Sequence, residues 1–64
     1  MSRINAIKED IKHFETLNFN EKEILEVISS NWKDATEDII KAFDECGYIL
    51  TLHYGKIVKL NKEV

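Results

Sequence analysis

Proline is absent from the sequence, and only Gly47 and Gly55 supply glycine among its 64 residues. Both glycines fall in the last third, so nothing earlier reads as a linker and one domain is expected over residues 1–64. A single cysteine, Cys46, excludes an intramolecular disulfide and points to a reducing compartment. No apolar run approaches the roughly 18 residues of a membrane span. No signal-like apolar stretch follows Met1-Ser2-Arg3-Ile4-Asn5. The expectation is a cytoplasmic chain with no membrane partner.

The chemistry-bearing motifs are missing too. There is no C-x-x-C and no H-x-x-x-H, so His13, His53 and Cys46 lack zinc-ligand spacing. Neither glycine sits in a phosphate-cradling loop, and there is no G-x-S-x-G nucleophile elbow. Cys46 ends a helical segment beside Asp44 and Glu45, which disfavours its thiolate, so it reads as a small buried apolar residue. A catalytic pocket usually takes about 300–1,000 Å³ and two supporting shells of side chains, which a chain of this size struggles to provide. The chain is therefore not expected to be an enzyme. No catalytic residue, cofactor or metal ligand is assigned.

What is present is ordinary globular material, 44% hydrophobic and 33% charged. Ile4, Ile7, Ile11 and Phe14 recur at helical spacing behind Ser2, a good N-cap. They occupy an arc of only about 80°, narrow enough to resemble a coiled-coil seam. Asn20 with Glu23 forms a capping-box pair, predicting a second helix over 21–30 with Trp32 just past its end. Asp34 with Glu37 predicts the cap of a third helix over 35–45, ended by Gly47 in the left-handed conformation.

The period then changes. Residues 48–52 and 56–60 are β-rich and flank His53-Tyr54-Gly55, which reads as a three-residue hairpin loop. That register pairs Leu52 with Lys56, Leu50 with Val58 and Tyr48 with Leu60. It turns Ile49, Thr51, Ile57 and Lys59 to the other face. The expected fold is α+β, three helices followed by a C-terminal β-hairpin, a winged-helix-like outline. Ile28, Ile39, Phe43 and Leu50 are the expected core.

Winged helices usually bind DNA through the third helix and the hairpin. The charge distribution opposes that mode here. Residues 1–47 carry six basic and eleven acidic side chains, and residues 48–64 carry three lysines against one glutamate. The third helix would offer Glu37, Asp38, Asp44 and Glu45 to phosphates, with only Lys41 in return. Nucleic acid is thus the second choice of partner, reached through the hairpin if at all. An acidic body with a basic end suits a protein partner better. The expected function is a small regulatory protein that binds and modulates a larger protein, as bacterial and phage modulators of this size do. Ile7, Trp32, Glu37, Asp38, Ile49, Tyr54, Ile57 and Lys59 are the residues expected to meet it. Trp32 reads first as core, where two helices meet, and only second as an exposed anchor. A homodimer is expected through the Ile7 seam or the Ile49 and Ile57 face of the hairpin.

Overall fold

The computed structural model describes residues 2–62. Three helices, α1 (Arg3–Thr16), α2 (Glu21–Asn31) and α3 (Thr36–Glu45), precede β1 (Tyr48–His53) and β2 (Lys56–Lys62). The strands form one antiparallel hairpin, an α+β arrangement.

Two of the helix starts follow from their caps. Ser2 Oγ accepts the Asn5 amide at 3.2 Å. Asn20 Oδ1 accepts the Glu23 amide at 2.8 Å, and Glu23 Oε1 accepts the Asn20 amide at 3.0 Å, completing the capping box. The third start differs from expectation. Asp34 does not cap α3; it adopts φ 65° in the preceding turn. Ala35 takes the cap position with no side-chain hydrogen bond. Ala35 is buried, and its amide donates to the Trp32 carbonyl at 3.2 Å. Tucking Ala35 inward in so short a turn leaves Asp34 outward in the left-handed region, which Asp tolerates better than most residues. Gly47, at φ 87°, follows α3 as expected.

The α1 stripe is corrected as well. Ile7 and Ile11 are fully buried, while Ile4 and Phe14 pack at the margin of the same core. The stripe packs chiefly on α3 and also on α2, so it is interior and not a seam for a second copy. Ile24, Ile28, Ile39, Ala42, Phe43 and Tyr48 complete the cluster. Leu50 lies against it only half-buried.

The hairpin turns on two residues, not three. Tyr54 (φ 52°) and Gly55 (φ 76°) both take positive φ, the backbone pattern of a type I′ turn, whose twist matches that of the strands. His53 then pairs with Lys56 and Leu52 with Ile57. A register shift follows, so that Thr51 pairs with Lys59 and Leu50 with Leu60. Val58 is the extra residue of this bulge. The bulge reverses the expected sides of Ile57 and Val58. Ile57 shares the inner face with Leu52 and packs on the core, whereas Val58 is 60% exposed. An unbulged strand would keep Lys56 and Leu60 on one face; the inserted residue puts an apolar side chain inward on both sides of it.

A polar latch holds the base of the hairpin. Tyr48 Oη donates to Glu15 Oε2 at 2.6 Å, and Lys62 Nζ reaches the same oxygen at 2.8 Å. Lys62 Nζ also donates to the Cys46 carbonyl at 2.9 Å and lies 4.5 Å from the Tyr48 ring centre. Partial burial opposes ionisation of Glu15, but the Lys62 and Tyr48 hydrogen bonds outweigh it and hold the carboxyl below its ordinary value. A depressed folded pKa stabilises at neutral pH, and that contribution disappears as pH falls through the folded value. Because Lys62 is 44% exposed, about 1 kcal/mol is the expected scale. Glu15→Gln should therefore melt lower than the parent at neutral pH, with the gap closing below about pH 4. Thermal melts of both proteins across pH check this; a gap that persists unchanged in acid contradicts it.

Candidate protein-binding surface

Among the described residues, no group of three or more His, Cys, Asp and Glu side chains could hold a metal ion. Burial, with the Glu15 carboxylate nearby, pushes the half-buried Cys46 thiol up, away from nucleophilic reactivity. Burial and the hydrogen bond to Glu15 likewise push the Tyr48 phenol up, so it stays a donor.

The acidic face of α3 is partly engaged. Arg3 lies 3.7 Å from Asp38, and Lys8 binds Glu45 at 3.0 Å, both from α1. Asp38 thus serves contact between helices, while Glu37 and Asp44 remain exposed. A duplex approaching α3 would still meet mainly carboxylates.

Four of the five large hydrophobic residues exposed among the described residues lie on the hairpin; the other is Leu17, at the end of α1. Ile49 is 56% exposed, Leu52 47%, Val58 60% and Tyr54 91%. Scattered single exposures are normal, but these four belong to one short hairpin. Ile49 and Leu52 line a groove with Ile40 of α3, bordered by Lys41 and Asp44. Val58 lies on the other side of the hairpin, beside Leu25 and Leu60. Lys56 and Lys59 are exposed along β2 and give this end its basic character.

Tyr54 stands apart in two respects. It is nearly free of the protein surface, its ring meeting the His53 ring at 4.3 Å between centres. It also holds a left-handed backbone conformation that costs a β-carbon-bearing residue about 1–2 kcal/mol, where Asn or Gly would be relaxed.

A second opening lies between α2, the α2–α3 turn and β2. It is a cleft of about 270 Å³ lined by Leu25, Trp32, Ile39 and Ile57, with Lys33, Asp34 and Lys56 also on its walls. The Trp32 indole N–H donates to Asp10 Oδ2 at 3.0 Å, which fixes the ring's orientation. Trp32 is half-buried against the core and lines the cleft as well, so it serves as core and as surface.

Of the residues singled out in the sequence, the fold brings Trp32 and Ile57 together at this cleft. It leaves Ile49, Tyr54 and Lys59 exposed on the hairpin and places Glu37 and Asp38 on the first turn of α3. Ile7 is removed from the surface altogether. Sequence reasoning missed Val58, whose exposure follows from the bulge, and Leu52, which is 47% exposed near the turn end of β1. It also missed Lys33 and Lys56 as neighbours of one cleft, although Lys33 adjoins Trp32 in the chain. No family model matches this chain, and no curated protein or solved structure matches it either.

Proposed function

We propose that this chain is a small regulatory protein that docks its hairpin on a larger protein and modulates it. The observation that carries this reading is Tyr54, an aromatic side chain 91% exposed at the hairpin tip, on a backbone conformation unfavourable to it. The two-residue turn imposes the left-handed backbone on this position, and the ring is kept there despite that local cost and without packing on the core. Tyrosine is also enriched among residues that dominate binding energy. Ile49, Leu52 and Val58 supply apolar area on both sides of the tip. Since Ile7 is core, the hairpin and its open edges are also where a second copy would attach.

Tyr54→Asn is a clean test, because Asn relaxes the left-handed backbone while removing the ring. The variant should fold at least as stably as the parent. A partner captured from the source cells by the parent should bind the purified variant about 30-fold more weakly. Equal binding by parent, Tyr54→Asn and Ile49→Lys would overturn the reading.

Nucleic acid remains the second reading, favoured by exposed Lys56 and Lys59 beside Tyr54. Glu37 and Asp44 on α3 weigh against it. Random duplex should show no retardation even at low salt; strong, salt-sensitive retardation would favour DNA over a protein partner.

A further inference from the structure

We propose that the Trp32 cleft receives a single apolar side chain of a partner peptide whose flanking residues are carboxylates. This rests on the reading of the chain as a protein-binding module, but it concerns a different surface from the hairpin tip. At about 270 Å³ the cleft is below the usual size of a cofactor or metabolite pocket and suits one leucine- or phenylalanine-sized side chain. Its apolar walls come from three separate elements, with Leu25 on α2, Ile39 on α3 and Ile57 on β2. Trp32 closes it, held in place by Asp10, so its aromatic wall exists before any ligand arrives. Preformed pockets of this kind take the anchor side chains that dominate interface energy.

The rim sets the charge of the occupant. Lys33 and Lys56 flank the opening from opposite sides in the chain, one before α3 and one at the start of β2. Both are exposed, and neither is in an ion pair among the described residues. Asp34 is the single opposing charge on the walls, so the rim is net positive on a protein of net charge −3. A local cationic rim on an acidic body selects for carboxylates beside the anchor.

Trp32 is the sole tryptophan, so its emission and indole N–H signal are read without overlap from any other tryptophan. The full chain is titrated with acetyl-Glu-Phe-Glu-amide and with the same peptide carrying Gln or Lys in place of Glu. The acidic peptide should shift the Trp32 indole and Ile57 methyl signals. It should bind about tenfold more tightly than the Lys peptide at low salt, the scale of two exposed ion pairs, with the difference shrinking in high salt. Combining Lys33→Glu with Lys56→Glu leaves the core untouched and should reverse the preference. Absence of Trp32 and Ile57 shifts with all three peptides, or equal affinity for the three, would overturn the assignment. Tyr54→Asn should bind the acidic peptide as the parent does, because Tyr54 is not part of the cleft. Loss of partner capture in Tyr54→Asn alongside a silent cleft sinks only this assignment. A responsive cleft alongside capture indifferent to Tyr54 sinks only the hairpin reading.

Discussion

Phe43→Ala should leave this protein close to unfolded. Phe43 has no exposed surface, and its ring meets the Tyr48 ring edge-on at 5.2 Å between centres. Truncation removes that contact and opens a cavity where α3 meets the base of β1. Such changes cost about 3–5 kcal/mol. At about 0.05–0.15 kcal/mol per residue, a domain of this length holds roughly 3–10 kcal/mol in all. Urea titration followed by circular dichroism should show a midpoint near zero denaturant, or no folded baseline. Phe43→Leu, which keeps most of the volume, should retain a cooperative transition. A midpoint in Phe43→Ala equal to the parent's would show that α3 and the hairpin are not joined through this contact. The consequence reaches function, because Tyr48 is also the residue through which Glu15 holds the base of the hairpin.

Ile7→Glu should unfold the chain, not split a dimer. Ile7 is fully buried, and among the described residues no polar or charged side chain is buried with it. A carboxylate placed there would lose its hydration and gain neither an ion pair nor a hydrogen bond, a cost of at least several kcal/mol. Protonation relieves part of that cost in acid, so the residual fold should be greater at low pH than at neutral pH. The companion variant Ile49→Lys changes a residue that is 56% exposed and should move stability by less than about 0.5 kcal/mol. Circular dichroism and sedimentation of both variants separate the alternatives. A folded Ile7→Glu protein of reduced mass would restore the seam and remove Ile7 from the core.

The difference between Ile7 and Ile49 shows what can be read from one dimension. Periodicity reports that Ile4, Ile7, Ile11 and Phe14 share a side of α1, but not whether that side meets α3 or another molecule. A narrow arc suffices for burial here because α2 and α3 close over it. Trp32 and Ile57 are alike in this respect. They are 25 positions apart in the chain, and only the return of β2 past α2 makes them two walls of one cleft.

The amino-acid sequence by itself determined the helix–helix–helix–hairpin order, the capped starts of α1 and α2, the Gly47 stop and three of the four expected core residues, Ile28, Ile39 and Phe43. Those features depend on interactions within a few residues: a side-chain oxygen and an amide three positions on, a glycine at positive φ, an apolar repeat matching the helical turn. The tertiary structure alone decided the start of α3, the hairpin register, the fate of Ile7 and the walls of the Trp32 cleft. Ala35 reaches the core only if Asp34 takes the turn, and Ile57 reaches it only if Val58 is the bulged residue. Both outcomes trade a local preference for apolar burial against distant elements, and that trade depends on where those elements lie.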